Sequence, residues 1–392
     1  MDRNGFVCTI NGGRDGYQVP AALHQAGLLR RFATDYYAPE VPPRWLPAAM
    51  ARRRSPLLPK GMTANAPACF LAQHGAARLG LPMNRVFPYT DALLARRGLD
   101  LARRLGANLY AYSSYLPPWK AVPPGMRLVN FEYHPLPGLT MDLLREDAAR
   151  YPEAAWSFAQ EQRQLGLEQV TESWRHSDAV VCASRMTARS LEHAGCDPAR
   201  ITIIPYGFEA RSGAAPRGAD GPAQFLFVGQ GLQRKGLHHL LRAWRTVDPA
   251  RARLTLVCYA IDPGIAALAN QPGVTLLGRQ ERPVLDRLMH AADVFVMPSL
   301  VEGFGLAYLE ALAAGCHIVG TANTGLPDLP LSQAARTLVP VGDIAALAAA
   351  IEALIARRAA DRLDPAAIAA EAGNWTWADF RARIAAHAQS VL

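Results

Sequence analysis

The sequence predicts an α/β protein made of two parallel-sheet domains that face each other across a cleft. Three observations predict it. Short apolar, strand-like runs alternate with helix-period stretches along all 392 residues. A Gly/Ala/Pro/Arg-rich linker, Arg211 to Pro222, interrupts the alternation once, and a fresh strand follows it. Each half carries a glycine-rich turn directly after its first strand. Alternation of this kind places helices over the faces of a parallel sheet.

In the first half, Phe6–Ile10, Leu109–Tyr112, Arg127–Phe131 and Ala179–Cys182 read as strands. Residues 153–176 and 184–194 read as helices, and Ile201 to Gly207 runs into a turn. In the second half, Gln224–Val228, Arg253–Cys258, Val274–Leu276, Val294–Met297 and His317–Gly320 read as strands. The domain boundary falls near 206–222. The expected division is 1–205, 206–373 and a terminal piece, 374–392. In that piece Trp375 and Trp377 precede an amphipathic helix over 378–389.

Composition narrows the class. Half of the residues are hydrophobic, enough for two full cores. No apolar run approaches the ~18 residues of a membrane span. The run Ile344 to Ala356 is interrupted by Glu352 and reads as a helix. The amino terminus lacks a signal-peptide core, so the expectation is a cytoplasmic protein. The six cysteines, Cys8, Cys69, Cys182, Cys196, Cys258 and Cys316, form no CxxC pair. They read as reduced structural thiols rather than a disulfide or zinc frame.

The net charge is +8, and residues 30–61 hold seven cations against two carboxylates, a local +5. Trp45, Leu46, Met50, Leu57 and Leu58 are interleaved with them. That mixture suits an anionic membrane surface, with a solvated arginine-rich face as the alternative. No nucleic-acid-binding pattern is present, so nucleic acid is not an expected partner.

The chemistry concentrates in two stretches of the second half. In Pro298-Ser-Leu-Val-Glu302-Gly303-Phe304-Gly305-Leu306-Ala-Tyr-Leu-Glu310, a strand ends, a glycine loop follows and a helix begins near Gly305. The carboxyl end of a parallel strand followed by a helix N-terminus is where such sheets bind anionic ligands. Glu302 lies before the helix. Glu310 lies about five residues into it, roughly 7.5 Å along the axis. Two carboxylates so spaced can hold two polyols flanking a diphosphate, a hexose and a ribose. Gly229-Gln-Gly231-Leu-Gln-Arg234-Lys235-Gly236 supplies the cations, with one of only three lysines beside an arginine on a strand-to-helix turn.

These residues resemble the donor domain of glycosyltransferase family four, the retaining "group 1" enzymes of GT-B fold. Glu302 to Glu310 is the family's E-x7-E motif, and Arg234-Lys235 is its phosphate-binding pair. Ile203-Ile-Pro-Tyr-Gly207, Ala291 to Ser299 and Asn374-Trp-Thr-Trp377 also fit. The resemblance covers residues 178–392 well and the first half loosely. Thr324-Gly-Leu-Pro-Asp328 departs from it, because the family usually shows a double glycine and a glutamate there.

The resemblance implies two Rossmann-like domains, with the last helix crossing back to the first. It implies a retaining transferase that moves a hexose from a nucleotide diphosphate sugar to a glycan, lipid-linked or small-molecule acceptor. Glu302 would position the hexose, Glu310 the ribose, and Arg234 and Lys235 the diphosphate. Gly229, Gly303, Phe304, Gly305 and Leu306 would line the donor. Gly13, in Gly12-Gly13-x-x-Gly16, would face the donor phosphates, although a plain structural turn is the alternative. His134, in Asn130-Phe-Glu132-Tyr-His134, would shape the sugar pocket, and Glu132 would serve the acceptor or cap a turn.

No cofactor and no catalytic metal are expected, since the sequence has no Asp-x-Asp. Assembly of surface polysaccharide on a lipid carrier would bring the protein to the inner face of the cell membrane. The rivals are a GT-B epimerase or hydrolase of sugar nucleotides, and a non-catalytic nucleotide-sugar-binding protein. A dinucleotide dehydrogenase is disfavoured, because neither glycine turn gives GxGxxG followed by a ribose carboxylate.

Overall fold

Seven parallel strands of the first half pair side by side in a computed structural model that describes residues 3–44, 46–167, 172–209 and 221–392. They are β1 (Phe6–Thr9), β2 (Leu29–Thr34), β3 (Thr63–Asn65), β4 (Asn108–Tyr112), β5 (Leu128–Glu132), β6 (Ala179–Cys182) and β7 (Ile201–Ile203). Their spatial order is β3-β2-β1-β4-β5-β6-β7. The second half forms a six-stranded parallel sheet, in the order β10-β9-β8-β11-β12-β13. Its strands are β8 (Ala223–Val228), β9 (Ala252–Val257), β10 (Val274–Leu277), β11 (Val294–Val296), β12 (His317–Thr321) and β13 (Arg336–Val339).

The central strands β1, β4, β5, β6, β11 and β12 are buried along their whole length. Burial on both faces explains their largely apolar character, although Asn108, Asn130, Glu132 and His317 are buried among them. It is also why β2, β3, β7 and β13 escape the pattern. They lie off the centre and mix in residues such as Arg30, Arg31, Thr63, Asn65, Thr202 and Arg336. In each sheet the strand order turns between the first strand and its later neighbour, β1/β4 and β8/β11. Both glycine-rich turns leave the sheets at those points.

The predicted helix over 153–176 is shorter than expected. A single turn, Pro152–Ala154, leads into a helix over Ala155–Leu167, and a second short turn covers Glu172–His176. The linker Arg211 to Pro222 lies almost wholly outside the described residues, as does Trp45.

Several contacts tie the halves together, among them the returning helix, the 137–167 stretch and the Gly303 loop. The helix Trp377–Val391 returns to the first sheet. Buried Phe380 meets the rings of Phe131 and Tyr206, and Arg381 donates to Gln18 and Gln25. Trp377 packs on Tyr206 and Phe380, so it serves as an anchor. The stretch 137–167 lies against the second half through Ser157 N–H to Asp262 and Arg242 to Glu153. The third of these is the Gly303 loop. Its carbonyl accepts from the hydroxyls of Ser184 and Thr187, on the turn that follows β6.

All six cysteines are free and buried. The basic segment is less of a surface than its composition suggests. Arg53 is bound to Asp35 at 2.5 Å, Leu58 is in the core, and Arg30 and Arg31 donate to the carbonyls of Asn4 and Gly61. Its amphipathic residues form a helix only over Ala48–Ala51, too short to present a continuous apolar stripe.

Candidate functional site

The Arg234–Lys235 turn is the tightest piece of the site. Gly236 closes it at φ +67, and a Cβ there would lie 2.0 Å from the carbonyl oxygen of Pro298. Only glycine combines that left-handed backbone with so close an approach. The turn is thereby pressed onto the end of β11, and the Arg234 carbonyl accepts from Leu300 N–H. Glu302, two residues further on, is brought under both cations. Its Oε2 lies 3.1 Å from Arg234 Nη1 and is ion-paired with Lys235 Nζ. Arg234, Lys235 and Glu302 are each mostly enclosed.

The electrostatics follow from that enclosure. Burial alone would raise the Glu302 carboxyl, but Lys235 and then Arg234 overcome it and hold it down at about 2. Burial lowers Lys235, opposed by Glu302 and reinforced by Arg234. The site therefore holds two cations and one carboxylate, a local excess of positive charge suited to a polyanion.

The first half closes the other side. Gly303 meets Tyr133, since a Cβ at Gly303 would lie 2.5 Å from the Tyr133 carbonyl oxygen and 3.5 Å from His134 Nδ1. His134 keeps accessible surface at the cleft mouth while both halves crowd its ring. Burial, then Arg234 and Arg14, push its pKa down to about 4, so it is a neutral imidazole at physiological pH. The geometry thus brings Glu302, Arg234, Lys235, Gly303 and His134 together. Gly229 is beside them, about 4.0 Å from the Lys235 side chain by its projected Cβ.

Other expected site residues lie apart. Glu310 is the fifth residue of the helix Leu306–Ala313. Its carboxylate pairs with Arg282 at 2.7 Å, in a small cavity also lined by Phe208, Asp286 and Met289. Phe304 is buried edge-on against Tyr206, so its side chain packs between the halves and leaves only backbone for a ligand. Gly305 caps the helix, and Leu306 opens it half-exposed. Gly13 lies on an exposed turn beside Tyr17, and its neighbour Gly12 donates to Asp35. Glu132 is buried and accepts from Ser113 Oγ at 2.8 Å. The departure at Asp328 has a partner, because both Arg185 N–H and the Arg185 side chain from the first half bind its carboxylate.

Sequence reasoning missed two residues inside the first glycine turn. Arg14 stacks over Tyr133, with its guanidinium carbon 4.1 Å from the ring centroid. Asp15 accepts from Tyr112 Oη and from Gln18 N–H. Asp15 and Tyr17 both adopt positive φ, 48 and 65. Non-glycine residues held in that region store strain and cluster at functional sites. Burial raises the Asp15 carboxyl to about 7 against the hydrogen bond from Tyr112. Their place between Gly13 and Gly16 was the signal available in the sequence.

Two facing parallel α/β sheets with a polar cleft between them define the GT-B fold. Sucrose-phosphate synthase from Thermosynechococcus elongatus superposes with a TM-score of 0.62 at 18% identity, over 98% of this chain and 95% of that one. Residues 222–357 match the family model described as "Glycosyl transferases group 1". A glycogen synthase from Mycobacterium tuberculosis is 29% identical over 249 residues, covering 60% of this chain and 58% of its own. A D-inositol 3-phosphate glycosyltransferase from Mycobacterium ulcerans is 38% identical over 239 residues, covering 55% of this chain and 50% of its own. The chain thus spans a little over half the length of the curated relatives it matches.

The raised pKa of Asp15 makes a prediction. A carboxyl raised in the folded state contributes stability below its ordinary pKa near 4 and loses it as pH climbs through about 7. Asp15→Asn keeps a side chain that tolerates positive φ and removes the charge. Urea midpoints from pH 5 to pH 8 should fall more steeply for the parent protein than for the variant. Parallel curves would show that Asp15 ionises without penalty.

Proposed function

We propose that the chain is a retaining, metal-independent hexosyltransferase that uses a nucleotide diphosphate sugar. The observation that carries the reading is the Arg234–Lys235–Glu302 cluster, at the carboxyl end of a parallel sheet and opposite a neutral His134. A diphosphate fits two enclosed cations beside the N-terminus of the helix Leu306–Ala313. Glu302 is placed to exchange its pairing with Lys235 for a hexose hydroxyl. Glu310, which lies apart and is paired with Arg282, would exchange that pairing to accept from the ribose.

In the proposed mechanism the bond from the anomeric carbon to the diphosphate lengthens first, and charge builds on the departing oxygens. Arg234 and Lys235 bind that charge better than the ground state, which is the condition for raising kcat. The acceptor hydroxyl attacks from the same face and its proton passes to the leaving phosphate. No carboxylate is needed as a covalent nucleophile, and the two cations do the work a divalent ion would do. His134, neutral at physiological pH, shapes the sugar pocket without adding a third positive charge.

The acceptor would lie along the first half. Arg14 over Tyr133 gives that wall a basic character suited to a phosphorylated acceptor. An anionic membrane surface is a further proposed partner, at the inner face of the cell membrane. Arg44, Arg52 and Lys60 of the 30–61 segment stay exposed. The helices Pro67–Arg78 and Met83–Arg104 of the same half expose Leu71 and Tyr89, with Leu79 and Leu81 on the turn between them.

Two experiments test these readings. After a thermal-shift screen finds the donor, Arg234→Ala or Lys235→Ala should each lower kcat about 10²–10³-fold with a much smaller change in donor KM. Product NMR from an α-linked donor should show an α linkage. A pure KM effect would reduce the pair to substrate gathering, and a β product would place the enzyme in an inverting class. For the membrane, co-sedimentation with vesicles should rise with anionic lipid and fall with salt. Equal binding to neutral vesicles, or none, would remove that partner.

A further inference from the structure

Three residues beyond Lys235, the two halves meet at a second cluster that the transfer chemistry does not use. Asp147 projects from the first-half helix Pro137–Arg150, and His238 and His239 from the second-half helix Leu237–Trp244. All three are buried, at 6%, 0% and 2% exposure. His238 Nε2 lies 2.9 Å from Asp147 Oδ2, and His239 Nε2 lies 2.7 Å from Oδ1. One ligating atom from each residue falls within 4.8 Å of the other two.

Two features separate this cluster from an ordinary hydrogen-bonded knot. The first is charge. Among the ion pairs of the described residues, Asp147 faces only the two histidines and no lysine or arginine. A buried carboxylate with no lysine or arginine beside it is costly unless another cation joins it.

The second is alignment. His239 Nε2 is fully enclosed and close to Oδ1, yet it makes no hydrogen bond. A buried ring nitrogen left without a matched partner calls for an ion or an ordered group beside it. Gln233 Nε2 also donates to Asp147 Oδ2 at 2.8 Å, the kind of outer contact that orients a ligating carboxylate.

The geometry points to a divalent transition-metal site formed by Asp147, His238 and His239 that bridges the two halves. Two imidazoles and a carboxylate are the donor set zinc accepts, leaving a fourth position for water. Tetrahedral zinc would set its ligand atoms ~3.3 Å apart, so the side chains would separate by a few tenths of an ångström. The ion is structural. It fastens the helix Pro137–Arg150 to the helix that starts directly after the phosphate turn. It is separate from bond transfer, which needs no metal in the mechanism above.

The test reads metal and stability, not activity. Full-length protein is stripped with a chelator and titrated with Co²⁺, whose visible bands report coordination number. One equivalent should bind with the intense bands of a four- or five-coordinate ion, and Zn²⁺ should bleach them. Zn²⁺ should also raise the thermal midpoint of the stripped protein. His239→Gln should lose both the bands and the Zn²⁺-dependent shift while its metal-free midpoint stays within a few degrees of the parent's. If that variant does not fold, Asp147→Asn serves, since it keeps an acceptor for Gln233 and His238 but loses the charge. Cobalt bands that are weak and octahedral, that persist in the variant, or that never reach one equivalent would overturn the site.

Discussion

The pairing of Glu302 with Arg234 and Lys235 is the interaction on which the rest of the cleft depends. Three ionised groups are enclosed there, and two unlike charges 4 Å apart at an effective dielectric of 20 attract by about 4 kcal/mol. Breaking one buried pair costs about 3–5 kcal/mol when the partner is left exposed to nothing. The loop after β11 and the turn after β8 are therefore held as a unit, with Gly236 pressed on Pro298 as the backbone expression of the same contact. A ligand that enters must replace what Glu302 supplies. In the proposed function a diphosphate would do so with more negative charge and more acceptor oxygens, freeing Glu302 for hydroxyl groups.

That unit is also where the halves touch. The Gly303 carbonyl accepts from Ser184 and Thr187, and its α-carbon lies under the Tyr133 carbonyl. Asp328 takes Arg185, and Asn323 takes Arg189. The cleft is thus built from loops of the second half fixed by side chains of the first. A shift between the halves moves His134 and Arg14 relative to Glu302 directly. The Asp147–His238–His239 cluster sets the same relation from the other end of the Arg234–Lys235 turn.

Much of the fold was legible because fully buried strands have a composition of their own. Phe6–Thr9, Ala179–Cys182 and Val294–Val296 stand out as apolar runs wherever they are read. The strands β2, β3 and β13 did not, because Arg30, Arg31, Thr63, Asn65 and Arg336 suit positions away from the sheet centre and mask the run. Within the site, the Arg-Lys turn and Glu302 were readable because the turn is short and local in sequence. At Phe304 sequence cannot tell that the ring fills the space under Tyr206 and leaves the backbone to face a ligand. In the basic segment, composition could not show that Arg53 turns inward to Asp35, because that pairing spans 18 residues. The Asp147–His238–His239 cluster depends on contacts between distant elements, so spacing gave no hint of it, whereas Arg14 and Asp15 were marked by their place between Gly13 and Gly16.

The account makes Glu302 a placeholder that competes with the diphosphate for Arg234 and Lys235. Calorimetry of nucleoside diphosphates without sugar (ADP, GDP, UDP, CDP and dTDP) on the parent protein and on Glu302→Gln tests this directly. With the competing carboxylate removed, the preferred nucleotide should bind about tenfold tighter or more, a gain of roughly 1.4 kcal/mol. Equal or weaker binding by a folded Glu302→Gln protein would contradict the account, because the carboxylate would then be supporting the nucleotide rather than standing in for it.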